Sequence, residues 1–173
     1  MSEEIYNVVD ENDAVIGSAP RSEIHRLGLK HRAVHILIFN SSGEVFLQKR
    51  SMKKDRSPGV WDSSASGHVD RGETYDDAAM RELKEELGIT GKIELKKRLK
   101  LNASPETDNE FVWVYTGLYE GEFNLNKDEI SYGKWFHPKQ IEEHLISSPH
   151  QFSDSFIAVW KICGDQVLNN LDI

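Results

Sequence analysis

The stretch GHVDRGETYDDAAMRELKEELGI, Gly67 to Ile89, calls for a helix with two faces of opposite character. At about 100° per residue, Ala79, Met80, Leu83 and Leu87 share an apolar stripe that needs a sheet to cover it. Glu82, Glu85 and Glu86 fall in a fan roughly 100° wide, expected to point away from the core and converge. Like charges three and four residues apart repel by roughly a few tenths of a kcal/mol per pair. A purely structural helix gains nothing from that crowding, whereas a helix that holds a divalent cation does. Its ends are marked as well: Thr74 is the expected N-cap with Asp77 three residues on, and Gly88 the expected stop.

Hard cations take oxygen ligands, and Mg²⁺ commonly combines a few carboxylates with substrate phosphates. The loop GHVDRGE puts backbone groups near the helix N-terminus, a natural place for an anion. Together these features point to metal-assisted phosphoryl or pyrophosphate chemistry. The net charge of −8 argues against a nucleic-acid polymer or an anionic membrane as the main partner. A small diphosphate-containing substrate, reached through Mg²⁺ or Mn²⁺, suits it better. Cys163 is the only cysteine, MSEEIYNVVD has no apolar signal region, and no apolar run nears the ~18 residues of a membrane span. A cytoplasmic location is the expectation.

Along the 173 residues, one domain over 1–173 is expected. Residues 4–9 and 14–19 read as a strand pair, and APRSEIHRLG as a short helix ending at Gly28. HRAVHILIFN and EVFLQKR form a hairpin signal, VWDSSAS one short strand, and SMKKDRSPG a basic loop. KIELKKRLKL, EFVWVYTGLY and SYGKWFH read as strands, PKQIEEHL and DSFIAVWKICGDQVL as helices. The last carries a core stripe of Phe156, Val159, Trp160 and Cys163. The fold class is α+β with a mixed sheet, or a helix–sheet–helix sandwich.

Gly67, Glu73 and the run Arg81-Glu82-Leu83-Lys84-Glu85-Glu86-Leu87-Gly88-Ile89 together resemble the Nudix signature. The resemblance implies an α/β/α sandwich with a mixed sheet and hydrolysis of a diphosphate linked to another group. It further implies Mg²⁺ or Mn²⁺ on Glu82, Glu85 and Glu86, with Arg81 orienting the carboxylates and Glu73 steadying the loop–helix junction. The catalytic set is then Arg81, Glu85, Glu86 and Glu110. The base is a glutamate of the helix, with Glu110 or Glu129 as alternatives.

DENDAVIG, HRLGLKH, FLQKR and SPGVWDSSASGH are similar to one branch, the type 1 isopentenyl-diphosphate isomerases and their hydrolase-like relatives, whose N-terminal hairpin extension is also implied. Those isomerases hold a second metal on three histidines and two acidic residues. His31 and His68 match two of the histidines, and His25 the third with a one-residue shift. Glu110 matches an acidic position and Asp108 is similar to the other. Such a set would bind a transition metal, Mg²⁺ or Mn²⁺. Arg50 and Lys54 match positions that grip the diphosphate, and Gly67 belongs to the substrate loop. His137, His144 and His150 are expected to be structural or surface residues. Two departures oppose isomerisation. Ser66 stands where the isomerases carry a cysteine, and a hydroxyl is too weak an acid and base to replace a thiol without an activating partner. The glutamate set of the helix is also complete. Hydrolysis is the expected reaction, with an isomerase-like enzyme or a silent nucleotide-binding regulator as alternatives. The substrate, nucleoside or prenyl, and the choice of monomer or homodimer stay open.

Overall fold

The computed structural model describes residues 3–169. Strands β1 (Ile5–Val9) and β2 (Val15–Pro20) form a separate antiparallel pair, and α1 (Arg21–Leu27) ends on Gly28 in the left-handed conformation at φ 63°. Strands β3 (His31–Phe39), β4 (Val45–Arg50), β5 (Trp61–Asp62), β6 (Ala65–His68), β7 (Leu95–Leu101), β8 (Glu110–Leu118) and β9 (Ile130–Phe136) build one mixed sheet. Its order is β5-β4-β3-β8-β7, with β6 added to β3 and β9 to β4; β3 and β8 run parallel, the other pairs antiparallel.

Alternation along β3 divides the core. Ala33, Leu37 and Phe39 face α3 (Pro138–Ser147) and α4 (Asp154–Asn169), whose Phe156, Val159, Trp160 and Cys163 are all buried. Val34, Ile36 and Ile38 face α2 (Tyr75–Leu87) and its Ala78, Ala79, Leu83 and Leu87. The result is the α+β arrangement of helices on both faces of a mixed sheet, with an N-terminal hairpin outside it. Among the described residues no helix is long and apolar enough to cross a membrane.

The helix α2 lies differently from its sequence reading. Its Thr74 cap and Gly88 stop form as expected, the hydroxyl of Thr74 accepting from the Asp77 N–H at 3.1 Å. Met80, however, is 43% exposed, whereas Glu82 and Glu86 are buried. The buried arc is rotated toward the small side chains Ala78 and Ala79, which let the helix approach the sheet closely. Two of the three carboxylates therefore face the sheet and not away from the core.

The sheet makes room for them by splitting. Strands β3 and β4 pair directly only at Ile38↔Phe46 and Phe39↔Val45; further along, β6 takes the place beside β3 while β5 and β9 flank β4. Thus VWDSSAS, expected as one strand, forms two. Ser64 holds the wedge: its hydroxyl accepts from the Ile38 N–H at 2.8 Å and donates to the Phe46 carbonyl. A side chain here satisfies backbone groups that the ladder leaves open.

The N-terminal hairpin is fastened by Asp13, in left-handed backbone at φ 63°. Its side chain accepts from Arg32 Nε at 2.6 Å, Tyr75 Oη at 2.9 Å and Lys100 Nζ at 2.5 Å. Burial works to raise this carboxyl, but those bonds outweigh it and hold it below the usual value of 3.8. A depressed carboxyl stabilises the fold above the unfolded value, and the contribution is lost as pH falls through the folded one. Asp13→Asn is therefore expected to cost about 1–3 kcal/mol at neutral pH, with the deficit shrinking below pH ~4. Denaturant melts across that range measure it; a variant as stable as the parent at pH 7 would exclude the clamp.

Candidate active site

Helix α2, strand β6 and the split in the sheet bring Gly67, Arg81, Glu82, Glu85 and Glu86 to one cavity of about 840 Å³. Arg81 is its organiser. Its Nε donates to Glu73 Oε1 at 2.9 Å, Nη1 to Glu82 Oε1 at 2.6 Å and Glu85 Oε2 at 3.1 Å, and Nη2 to the His68 carbonyl at 2.8 Å. One planar guanidinium thereby ties the helix to the loop before it. Glu86 Oε2 accepts from Gln48 Nε2 at 2.9 Å and the Ser66 N–H at 3.0 Å. Burial first, then the neighbouring Glu86, push the Glu82 carboxyl above its usual range; burial likewise raises Glu86, against the bonds from Ser66 and Gln48. Glu85 stays outside with 55% of its side chain exposed.

Gly67 is required by this approach. A Cβ there would lie 2.0 Å from Glu82 Oε1 and 2.2 Å from its Cδ. Of the two buried carboxylates only Glu82 has an ion-pair partner among the described contacts, Arg81, and the pair is a donor set a divalent cation fits.

A second cluster adjoins the same cavity, which His25, His68 and Glu110 help to line. His31 and Glu110 face each other across β3 and β8, and His68 lies beside Ala33 on β6. His68 Nε2 is 2.9 Å from Glu110 Oε1, and His31 Nε2 is 3.4 Å from the same oxygen. His25, on α1, completes the group: one nitrogen of each histidine lies within 4.8 Å of the others. The one-residue shift of His25 in the sequence does not keep it out, because α1 turns the ring inward. His31 Nδ1 lies 2.9 Å from the Leu29 carbonyl, which leaves Nε2 facing Glu110. His31 Nε2 and both nitrogens of His25 are buried without a hydrogen-bond partner among the described residues, and His25 Nδ1 lies 3.2 Å from Asp108, a donor set that a cation fits. Burial works to raise the Glu110 carboxyl, but the imidazoles of His31 and His68 outweigh it and hold it well below the carboxylate range.

The basic loop is less free than its sequence suggests. Arg50 gives Nε to the Ser57 carbonyl at 3.0 Å, Nη2 to the Arg56 carbonyl at 3.0 Å and Nη1 to Asp62 at 3.3 Å, so its guanidinium closes the loop on itself. Lys54 pairs with Glu129, and Lys53 with Asp128 at 2.5 Å. Ser66 lines the cavity beside Gly67. Of the remaining histidines, His137 caps α3 by accepting from the Lys139 N–H at 3.3 Å, and His144 rests against Phe136.

Several participants escaped the sequence reading. Gln48, which holds Glu86, looked like an ordinary strand residue. His35 is buried with Nδ1 at 2.7 Å from Ser63 Oγ and 3.9 Å from Asp62, and sits across the strand pair from Ser66. A histidine at a core-facing position of an apolar strand was the available signal. Arg56, reaching Asp108 at 2.7 Å, links the basic loop to the His25 side, and Tyr6 stacks on His68 at 4.5 Å.

A sandwich that presents a carboxylate helix and its glycine loop at a split sheet defines a class, and residues 29–157 match the NUDIX domain. The chain belongs to the Nudix family. Within it the chain resembles the isopentenyl-diphosphate isomerase branch. It is 32% identical over 165 residues to an isopentenyl-diphosphate Delta-isomerase of Serratia proteamaculans, covering 94% of this chain and 92% of that one. It is 36% identical over 147 residues to an uncharacterized Nudix hydrolase of Pseudomonas aeruginosa, covering 85% and 86%. The crystal structure of DR0079 from Deinococcus radiodurans superposes with a TM-score of 0.74 at 28% identity, covering 84% and 90%.

Two outcomes test the geometry. Gly67→Ala should keep the fold but displace Glu82, abolishing any rise in melting temperature that Mg²⁺ gives the parent protein. Because protons compete for the raised carboxyls, the parent's rise should be larger at pH 8 than at pH 5. An Mg²⁺-induced rise equal in variant and parent would remove the helix carboxylates from the metal site. For the second cluster, metal analysis after dialysis against Zn²⁺ or Mn²⁺ should find an ion that His31→Ala does not retain, with nitrogens ~2.0–2.1 Å from zinc in a crystal. Equal metal content in both proteins would exclude it.

Proposed function

We propose that this chain is a Mg²⁺- or Mn²⁺-dependent pyrophosphohydrolase that cleaves a diphosphate linkage in a small substrate. The supporting observation is the burial of Glu82 and Glu86 side by side at the cavity, with Arg81 bonded to Glu82 and Glu86 held by Gln48 and the Ser66 N–H. A binding module needs no such pair, which is costly until a cation joins it.

Attack of water on phosphorus builds negative charge on the phosphoryl oxygens and the leaving oxygen. A divalent cation held by Glu82, Glu85 and Glu86 would supply the Lewis acidity that neutralises it. The chain's own residues do the positioning. Arg81 keeps the helix carboxylates in one orientation through Glu73 and the His68 carbonyl, while Ser66 N–H and Gln48 fix Glu86. Lys53 and Lys54 exchange their carboxylate partners for substrate phosphate at the rim. Glu85, the exposed carboxylate, accepts the proton of the attacking water. Glu110 is unsuited to that task, because its neighbouring imidazoles make its carboxylate a weak base.

The histidine cluster and the isomerase-named relatives favour a second reading, isomerisation of a five-carbon diphosphate. Ser66 speaks against it, because the Nδ1 of His35, the imidazole across the strand pair, is engaged with Ser63 Oγ at 2.7 Å.

Glu86→Gln should fold as the parent does and lose ~10²-fold or more in turnover on its best diphosphate substrate, with phosphate release as the readout. A near-parental rate would exclude the carboxylate assignment. With isopentenyl diphosphate and Mg²⁺ in D₂O, NMR should show no dimethylallyl isomer. Deuterium in the product's carbon skeleton would establish the isomerase reading in place of hydrolysis.

A further inference from the structure

The guanidiniums that line the cavity, those of Arg21, Arg50, Arg56 and Arg81, are committed to very different degrees. Arg81 is bonded to the carboxylates of Glu73, Glu82 and Glu85 and to the His68 carbonyl. Arg50 is divided between two carbonyls and Asp62. Arg21 is joined to Asp55 by two parallel bonds of 2.8 and 3.0 Å. Arg56 is different. Among the described residues its guanidinium meets only Asp108, through Nη2 at 2.7 Å, and 45% of the side chain is exposed. A guanidinium carries five N–H groups in a rigid fork, so most of these donors are left for another acceptor.

The one partner of Arg56 is itself shared. The same Oδ2 of Asp108 lies 3.2 Å from His25 Nδ1. Asp108 closes the short 3-10 turn Pro105–Thr107 in left-handed backbone at φ 56°, which sets its side chain between the basic loop and α1. An ion pair this open to water holds weakly. A phosphate, with more charge and a geometry that matches the fork, can displace the carboxylate.

The loop also puts Arg56 where phosphate is expected. Lys54 and Arg56 are separated by Asp55 alone, whose carboxylate is taken by Arg21. The charge of Lys54 is felt at Glu86 and that of Arg56 at His25, so the two side chains look toward different carboxylate and histidine centres of one cavity. Their Cα atoms are at most ~7 Å apart, a span over which two long side chains can close on one diphosphate. Arg50 stands one step behind. It donates to the Arg56 and Ser57 carbonyls at 3.0 Å each, and thereby fixes the backbone from which Arg56 projects.

We propose that Arg56 is the guanidinium that grips the substrate's phosphate, that Asp108 holds it in reserve until the anion arrives, and that Arg50 is a positioning residue acting through it. This departs from the isomerase resemblance, which gives the grip to position 50. The inference rests on the reading of the substrate as a diphosphate. On binding, Arg56 exchanges a single carboxylate contact for a forked contact with phosphate, and the Asp108 carboxylate is left to His25.

Calorimetry with Mg²⁺ and imidodiphosphate, whose bridging nitrogen resists hydrolysis, tests the assignment. Arg56→Gln should bind it ~10-fold or more weakly than the parent, the scale of a lost charge-assisted contact. Asp108→Asn should bind it several-fold more tightly, and the gain should vanish when Arg56→Gln is present. A gain that persists there would make Asp108 a general repulsive charge and overturn its reserve role. Arg50→Lys keeps a charge for Asp62 but cannot span both carbonyls; it should weaken binding alone and add nothing to Arg56→Gln. Additive losses would make Arg50 a direct ligand and overturn the proposal. Circular dichroism checks folding, and if Arg50→Lys does not fold, the Arg56 and Asp108 comparisons decide. Binding by Arg56→Gln equal to the parent's overturns the inference while the diphosphate reading stands. A parent that does not bind imidodiphosphate overturns both.

Discussion

The buried carboxylate of Glu86 is the contact around which the rest of this structure is arranged. It accepts from the backbone N–H of Ser66 on β6 and the side chain of Gln48 on β4, on the two sides of the split in the sheet. Strands β3 and β4 separate there, where Ser64 bridges the Ile38 N–H and the Phe46 carbonyl with one hydroxyl. The sheet thus gives up part of its β3–β4 ladder, and the helix carboxylate fills the gap. Close approach of α2 depends in turn on alanines at 78 and 79 and on the missing Cβ at Gly67. Fold and site are here the same set of contacts.

Acidic residues in the cavity serve opposite ends because their surroundings differ. Glu110 is buried, yet two imidazoles keep it ionised. Glu82 and Glu86 are also buried, and burial beside a like charge pushes them toward the neutral form. Carboxyls of the same kind, in one cavity, therefore sit on either side of their ordinary range. The imidazoles outweigh burial at the first, whereas burial dominates at the second pair even with Arg81 beside Glu82. That difference is the physical basis for reading them as separate centres.

How much of this was visible in the sequence depended on whether the information was local. Helix boundaries at Thr74 and Gly88, the strand alternation of His31–Phe39 and the core stripe of α4 are written in consecutive residues, and they appear as read. The rotation of α2 is not local: it is set by what lies across the interface, so the sequence pattern puts Met80 in the core and Glu82 away from it, the reverse of what the structure shows. The break in VWDSSAS depends on a serine hydroxyl meeting two other strands, which no propensity encodes. Arg50 failed as a free cation for a related reason. Its charge is visible in the sequence, but the carbonyls of Arg56 and Ser57 that absorb it are visible only after the loop has closed.

Position 66 shows how such a scaffold can change chemistry without changing shape. The structural duty there, holding Glu86, falls on the backbone N–H, so any residue except proline can perform it. The side chain is left to line the cavity, between the helix carboxylates and the histidine cluster. A thiol at this point, as the resemblance assigns to the isomerases, and a hydroxyl, as here, impose the same demands on the fold. They impose different ones on a substrate: the thiol can exchange a proton with carbon, while the hydroxyl can only donate or accept a hydrogen bond unless a base activates it. His35 lies across the strand pair, but its Nδ1 is already engaged with Ser63. With Ser66 unactivated, the hydrolysis proposed above rests on the complete glutamate set of α2.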